Sequence, residues 1–292
     1  MVKTKIEWCD STWNPVTGCR HGCAYCYAKR IAERFQMQEG AANLEETREE
    51  ERCYELEGRV MASGKDGKKR ACAYPYGFQP TLHRYRMKQP QKWVNPQNIF
   101  VCSMADLFGD WIPDSWIEET FRAAQAADRH RYLFLTKNPT RYCQLHDADK
   151  LPKSRFVGEE SRRIWYGTTI TKNYQPVWDG SVDFNTFVSI EPLLEELEID
   201  PEGMAFGALN WIIIGAETGI RKDKVTPKPE WVDRIVRAAD NRKIPVFMKD
   251  SMIPIIGEEN MRREFPWEVE ILMPPAKEAA TYADQPTMIP GA

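Results

Sequence analysis

Short, continuous apolar runs alternate with amphipathic stretches along most of the chain. The runs are rich in β-branched and aromatic residues and do not alternate strictly with polar ones. Such runs are typical of parallel strands that are buried on both faces. We predict strands at Asn98–Cys102, Arg131–Thr136, Ile164–Ile170, Thr186–Ile190, Asn210–Gly215 and Ile244–Met248, and a further strand near Thr12–Thr17.

Helices are predicted between several of these runs. Ser115 and Glu118 have the spacing of a capping box, Pro229 suits the first turn of a second helix, and Asn138–Thr140 begin a third. The apolar positions at helical spacing are Ile117, Phe121 and Ala124, and then Trp231, Val232, Ile235, Val236 and Ala239. Repeated strand–helix–strand order joins parallel strands by right-handed crossovers. We therefore predict an α/β fold, built as an open or closed barrel.

Residues 40–75 depart from this pattern. They contain a cluster of glutamates, followed by the basic run Gly64–Arg70. Such a composition predicts a polar insertion, with a solvated helix followed by a flexible loop. Residues 273–292 are rich in proline and alanine without a period, which predicts a flexible tail. A single domain is therefore expected over residues 1–272.

The composition is that of a folded protein. Of the 292 residues, 42% are hydrophobic and 28% are charged, which excludes general disorder. The net charge of −3 provides no overall basic field for nucleic acid, so any such binding would need a local patch. No apolar run is long enough to span a bilayer, and the start lacks the apolar stretch of a signal peptide. We expect a cytoplasmic protein with no membrane partner, whose cysteines are reduced.

Three cysteines carry the strongest chemical information. Cys19, Cys23 and Cys26 follow the first predicted strand in a C-x3-C-x2-C pattern and precede a helix that carries Ile31 and Phe35. Three thiolates on so short a loop can converge on one iron–sulfur cluster. Such clusters are usually held by four thiolates, so a cubane held by three has one iron open to another ligand.

Two other interpretations of these cysteines exist. A zinc site needs four ligands, for which His21 or Cys9 is a conceivable fourth. Unliganded core cysteines are disfavoured, because Gly18, Gly22, Arg20 and His21 make a poor core. A simple electron-transfer cluster is also disfavoured, because only three local cysteines are present.

The pattern Cys19-x3-Cys23-x2-Cys26, with the aromatic Tyr25 directly before Cys26, resembles the signature of radical S-adenosylmethionine (SAM) enzymes. The resemblance implies a partial (β/α)6-type barrel related to TIM barrels, and a [4Fe–4S] cluster whose open iron is chelated by SAM. It implies that the reduced cluster cleaves SAM to methionine and a 5′-deoxyadenosyl radical. It also implies an external electron donor of the flavodoxin or ferredoxin type.

The chain is also similar to one phage-associated, radical-SAM-like family, mostly of undefined function. The blocks that carry this similarity run from about Lys5 to Lys249 and include Trp13–Cys19, Ser103–Phe108, Leu135–Pro139, Ser189–Leu193 and Gly215–Gly219. Two features differ from that family. The insertion at 40–75 is longer than usual, and the first cysteine pair keeps the spacing of the wider superfamily.

Polar residues follow the predicted strands, where the sites of β/α barrels form. By resemblance, Ser103 and Asp106 lie where the amino group of SAM binds, and Thr168, Thr169 and Glu191 lie where its ribose and carboxylate bind. Lys137 is a candidate partner for an anionic group, with a salt bridge to Glu191 or Glu217 as the alternative. The full set of cofactor-binding candidates is Tyr25, Ser103, Asp106, Lys137, Thr168, Thr169, Glu191 and Glu217.

A basic and aromatic stretch suggests a partner. Between Ala71 and Ala105 there is no acidic residue, and cations alternate with aromatic residues. This combination suits nucleic acid, because cations bind phosphates and rings stack on bases. The candidates are Arg84, Arg86, Lys88 and Trp93. A solvated face with packed aromatic side chains is the alternative interpretation.

We therefore expect a radical SAM enzyme that acts on a nucleic acid or nucleotide, in modification or repair. One alternative is a radical SAM enzyme with a small-molecule substrate. Another, from a different class, is a non-catalytic nucleic-acid-binding module that is stabilised by zinc or by an iron–sulfur cluster.

Overall fold

The computed structural model describes residues 4–36, 53–63, 67–154, 163–180, 183–200, 206–268 and 287–288. Most of the predicted glutamate-rich helix and of the predicted tail lies outside these ranges. The chain divides into two compact units. The first contains Cys9–Tyr132, and the second contains Thr4–Trp8 and the described residues from Leu133 onward.

The described strands are short, and most of them coincide with the predicted runs. In chain order they are β1 Ser11–Trp13, β2 Val16–Thr17, β3 Tyr54–Leu56, β4 Met61–Ser63, β5 Lys69–Ala71, β6 Thr81–His83, β7 Asn98–Val101, β8 Arg131–Thr136, β9 Ile164–Ile170, β10 Pro176–Val177, β11 Asn185–Ile190, β12 Ile212–Ile214, β13 Val246–Met248 and β14 Thr287–Met288.

A parallel sheet contains every strand predicted from a continuous apolar run. Among the described residues its order is β1-β7-β8-β9-β11-β12-β13, with seven strands. The register pairs Trp13 with Val101 in β1 and β7, and Ile190 with Ile214 in β11 and β12. Every residue of β9, β11, β12 and β13 is buried, which explains why their sequences do not alternate. The predicted α/β class is therefore confirmed.

The helices are α1 Tyr27–Arg34, α2 Asp114–Gln125, α3 Thr140–Asp147, α4 Pro229–Asn241 and the single turn α5 Ile253–Ile256. Pro229 begins α4 as predicted. The predicted capping box of α2 is wrong, because Pro113 is the N-cap and Ser115 lies within the first turn. The fixed φ of proline sets the extended start of the helix, and Asp114 places a negative charge in its first turn.

The described part of the insertion contains strands. β3 pairs with β6, and β6 pairs with β2, in a small second sheet. β4 and β5 form an antiparallel pair, in which Ser63 lies opposite Lys69. The expected flexible loop is therefore wrong for Lys69 and Arg70. Their side chains are exposed, so backbone pairing rather than burial determines their conformation.

Apolar side chains from β9, β11, β12 and β13 form a hydrophobic core in the second unit. This core includes Ile170, Val188, Ile190, Ile212 and Ile214, and buried residues of α4 belong to it. No helix in the described ranges is long and apolar enough to cross a membrane.

The buried side chain and backbone of His83 link strands and loops of the small sheet in the first unit by hydrogen bonds. It is fully buried, its Nε2 lies 2.9 Å from the Thr17 hydroxyl, and its backbone N–H donates to the Pro15 carbonyl at 2.7 Å. Burial, together with the nearby charge of the Arg86 guanidinium, lowers the pKa of His83 to about 3. The imidazole is therefore neutral in the folded protein at neutral pH.

We expect the free energy of unfolding to fall as the pH is lowered from about 6.5 to about 3. In this window the unfolded chain binds a proton at His83 that the folded chain does not, with a slope of up to about 1.4 kcal/mol per pH unit. Urea unfolding at several pH values measures this slope. His83→Gln should flatten it, whereas the partly exposed His146→Gln should not. Equal slopes in all three proteins would contradict the assignment.

Candidate functional site

The three cysteines lie on one loop between β2 and α1. The residue before them, Gly18, has a φ of +90°, and Gly22 has a φ of +69°. Glycine reaches this left-handed region without steric cost, so the chain can turn twice within the loop. The predicted order of strand, cysteine loop and helix is confirmed. We call residues 18–26 the cysteine loop.

Residues 102–113, which we call the β7–α2 loop, hold the cysteine loop at three points. Before the cysteines, the Gly18 N–H donates to the Met104 carbonyl at 2.9 Å. Between them, Nε2 of His21 lies 2.7 Å from Oδ2 of Asp106. After them, the Tyr27 hydroxyl donates to the Ser103 carbonyl at 2.6 Å. The cysteine loop is therefore held at its first residue, at His21 and directly after its end.

Asp106 links these two loops from a buried position. Only 5% of the residue is exposed. While Oδ2 meets His21, Oδ1 accepts the Phe108 N–H at 3.0 Å. The His21 ring also packs edge-on against Trp111, with 4.9 Å between the ring centroids. Both carboxylate oxygens therefore have protein partners, so the structure places Asp106, a predicted SAM-binding residue, as the anchor of the cysteine loop.

The thiols of the loop influence one another electrostatically. The pKa of Cys19 is raised to about 12, first by burial and then by the charges of Asp106, Cys23 and Cys26. The backbone N–H of His21 acts in the opposite direction and lowers the pKa of Cys19. Cys26 is the N-cap of α1, and its Sγ accepts the Lys29 N–H at 3.3 Å. The Cys26 sulfur thus already has a backbone N–H donor.

The three cysteines of the loop are suitable metal ligands, both as a residue type and, when ionised, through their negative charge. No three His, Cys, Asp or Glu side chains in the described ranges are placed closely enough to form a metal site. However, Cys19, Cys23 and Cys26 are all free and partly exposed thiols. Soft thiolates are the ligands preferred by iron–sulfur clusters and zinc. A positively charged centre would also offset the repulsion among the thiolates, which raises the pKa of Cys19 after burial and Asp106.

Residues that the sequence left unassigned lie beside the cysteine loop. The Cys53 thiol donates to the Trp111 carbonyl at 3.3 Å, and the Arg20 guanidinium approaches its sulfur at 3.8 Å. No motif marks Cys53 or Trp111, because each is far from the loop in the sequence. Cys102 is buried, and burial raises its pKa to about 12. It is therefore a core residue. Tyr25 is half-buried.

Within the second unit, the remaining cofactor candidates lie in or after its strands. Thr168 and Thr169 are buried inside β9, and the Thr168 hydroxyl accepts the Trp178 N–H at 3.3 Å. Lys137 is half-buried directly after β8. Glu191 directly follows β11. Thr168 therefore has a structural partner in the core.

Both carboxylates of this group are paired with cations. Glu191 makes a hydrogen-bonded ion pair with Lys249. A Cβ on Gly215 would lie only 3.1 Å from both of these side chains. Glu217 binds Arg221 through two hydrogen bonds, of 2.6 and 2.7 Å. The hydrogen bond from Arg221 lowers the pKa of Glu217. The partners of these two carboxylates are thus Lys249 and Arg221.

In the stretch predicted to bind nucleic acid, some side chains bind other parts of the protein and others are exposed. Arg84 makes ion pairs with Glu55, Glu57 and Glu119. Arg86 donates to the Asn14 and Ala73 carbonyls at 3.0 and 3.2 Å. These contacts favour the structural interpretation for both arginines.

Lys88 and Lys92 in the same stretch are exposed, whereas Trp93 is half-buried. Ring centroids of Trp93 and His130 lie 6.0 Å apart, so the indole packs against the protein. Two lysines therefore remain available for phosphate contacts.

A comparison with known protein families gives one match that covers most of the chain. Residues 3–252 match the model of a family described as "Protein of unknown function (DUF5131)". The chain belongs to this family. No curated protein and no solved structure matches the chain.

The matched region of DUF5131 includes the cysteine loop, the β7–α2 loop, β13 and Lys249. The description of the DUF5131 family states no activity. The function must therefore be argued from the chemistry of the site itself.

The two glycines of the cysteine loop offer a matched test of its packing. A Cβ on Gly18 would lie 2.1 Å from the Gln79 carbonyl oxygen, whereas a Cβ on Gly22 would meet nothing within 4 Å. We expect Gly22→Ala to cost about 1 kcal/mol, from its left-handed backbone alone. Gly18→Ala should cost clearly more, about 3 kcal/mol, because a backbone clash is added. Urea denaturation measures both losses, and equal losses would contradict the close approach.

Proposed function

We propose that this protein is a radical SAM enzyme, in which Cys19, Cys23 and Cys26 hold a [4Fe–4S] cluster. The observation that carries the proposal is the anchored loop of three electrostatically coupled thiols, which lies between a strand and a helix in an α/β fold with a parallel sheet. A partial (β/α)6-type barrel is part of this proposal.

The proposed cofactor would supply an electron. When bound, the reduced cluster would transfer it to SAM, which breaks into methionine and a 5′-deoxyadenosyl radical. Three protein thiolates leave one iron open for SAM, which is the reason for preferring this cluster to a closed four-thiolate site. We also propose a cytoplasmic protein that is reduced by a flavodoxin- or ferredoxin-like donor.

We narrow the set of SAM-binding candidates on the basis of the contacts that their side chains make. Asp106 and Glu217 are each held by two hydrogen bonds, so we assign them a positioning rather than a binding role. We keep Tyr25, Ser103, Lys137, Thr169 and Glu191 as candidates. For Glu191, the Lys249 ammonium would be the group that orients the carboxylate.

Anaerobic reconstitution tests the proposal. We expect about four iron atoms per chain in the wild type, with a broad absorbance near 400 nm that is typical of thiolate-bound clusters. Cys19→Ser, Cys23→Ser and Cys26→Ser should each lose most of this iron. Cys9→Ser, a change at a partly exposed cysteine outside the loop, should retain it.

The same preparations should then be reduced and incubated with SAM. Formation of 5′-deoxyadenosine, measured by mass spectrometry, is expected for the wild type and for Cys9→Ser but not for the three loop variants. Stoichiometric zinc without iron after anaerobic purification would overturn the proposal. It would favour the non-catalytic metal-stabilised module instead.

We propose a nucleic acid or nucleotide as the substrate, with the exposed Lys88 and Lys92 as the phosphate contacts. The observation that favours it is that both lysines are exposed in a stretch without acidic residues. Arg84 and Arg86 are left out of this surface, because their guanidinium groups already have protein acceptors. A small-molecule substrate is the alternative.

A fluorescent oligonucleotide, titrated at several salt concentrations, tests this surface. We expect Lys88→Ala/Lys92→Ala to reduce the salt slope by roughly 2, since each lost phosphate contact removes about 0.9. Arg84→Ala should leave the slope unchanged, as should Lys172→Ala/Lys243→Ala, which removes two exposed lysines of the second unit. No binding by the wild type at low salt would exclude the surface and favour a small-molecule substrate.

A further inference from the structure

We propose that the hairpin of β4 and β5 is a basic ribbon that binds double-stranded DNA in the major groove. We call its described residues, 59–63 and 67–71, the basic hairpin. The inference rests on the proposed nucleic-acid substrate and deepens it, because it names the form of the nucleic acid and an element that contacts it. It does not depend on the cluster, because the basic hairpin contains no cysteine.

The basic hairpin carries positive charge only. Its charged residues are Arg59, Lys68, Lys69 and Arg70, and neither described range contains an acidic residue. All four side chains are exposed. The whole chain has a net charge of −3, so these cations form a local patch rather than part of an overall basic field. Such a patch attracts a polyanion such as the phosphate backbone of a nucleic acid.

The hairpin also has a shape that suits a groove. Every residue of β5 is exposed, as are the first and last residues of β4, so little of either strand packs on the protein. The register places the small, neutral Ala62 and Ser63 opposite Arg70 and Lys69. Two paired strands lie about 4.8 Å apart, and the major groove of B-DNA, about 12 Å wide, admits a two-stranded ribbon. Small side chains beside the cations allow the ribbon to approach the bases closely.

Two contacts fix the base of the hairpin to the basic stretch 84–92. Just before the hairpin, Glu57 makes an ion pair with Arg84. Just after it, the Ala73 carbonyl accepts a hydrogen bond from Arg86 at 3.2 Å. These two arginines bind protein acceptors, and by doing so they hold the hairpin against the stretch that carries the two exposed lysines. The hairpin and those lysines can therefore contact the same nucleic acid.

Binding in the major groove distinguishes one kind of nucleic acid from another. An RNA duplex has a deep and narrow major groove that side chains cannot read, and a single strand has no groove. A surface that only attracts phosphates would bind DNA and RNA duplexes of equal length alike. We therefore expect the protein to prefer the DNA duplex.

The first test measures the charge of the hairpin. The full chain is titrated, at several salt concentrations, into a fluorescent DNA duplex of about 20 base pairs, which presents about two helical turns. Lys69→Ala/Arg70→Ala should reduce the salt slope by roughly 2. The control Lys172→Ala/Lys243→Ala should not change it.

A charge-conserving variant separates the loss of charge from a loss of structure. Lys69→Arg/Arg70→Lys keeps both cations in exposed positions, so it should retain the wild-type slope. A wild-type slope in Lys69→Ala/Arg70→Ala would overturn the inference, as would a reduced slope in the charge-conserving variant.

The second test measures the preference for the groove. An RNA duplex of the same length carries nearly the same phosphate charge, and at equal salt the wild type should bind it about tenfold more weakly than DNA, the effect of one good contact to a base edge. Lys69→Ala/Arg70→Ala should reduce this difference. Equal affinity of the wild type for the two duplexes would overturn binding in the major groove.

The failure of this inference is distinguishable from that of the proposed function. If the wild type binds DNA and only Lys88→Ala/Lys92→Ala lowers the slope, the nucleic-acid substrate stands and the role of the hairpin is overturned. If the wild type binds no nucleic acid at low salt, both are overturned, and an acidic protein becomes the better partner for the hairpin. Iron uptake by the cysteine loop tests the radical SAM assignment separately from either result.

Discussion

The parallel pairing of β1 with β7 is the constraint on which the candidate site depends. It places Trp13 beside Val101, so the two chain segments leave the sheet at the same edge. Beyond the strands, the same two segments form one more parallel β-bridge, between Gly18 and Ala105. The contacts between the cysteine loop and the β7–α2 loop therefore lie beyond the same edge of the sheet.

The sequence was sufficient where burial leaves a clear pattern. β9 and β11 are buried at every position, so their sequences do not alternate between apolar and exposed polar residues. The cysteine loop could also be predicted, because its three cysteines lie within one short segment of the sequence. The turn into α2 was not predicted correctly, because a proline with an extended backbone replaced the expected side-chain cap. Local sequence does not distinguish these two ways of starting a helix.

Contacts between distant residues could not be predicted. His21 and Asp106 are 85 positions apart, and Glu191 and Lys249 are 58 apart. Nothing in the sequence indicates that Arg84 meets three carboxylates, since its neighbours in the chain are basic and aromatic. The sequence marks charged residues near a predicted strand end as candidates for ligand binding, but it does not show their protein partners. In this chain, several of these residues have such partners.

The sulfur of Cys26 is both the N-cap acceptor of α1 and a proposed ligand of the cluster. As the N-cap of α1, its Sγ accepts the Lys29 N–H, in the position that a serine or aspartate oxygen usually occupies. The eight-residue helix buries only Ala28 and Ala32, while Tyr27, Ile31 and Phe35 are exposed. Its stability therefore depends strongly on its first turn. Oxidation or alkylation of this thiol would remove the hydrogen bond that caps α1. Damage to one sulfur would therefore also destabilise the helix that follows it.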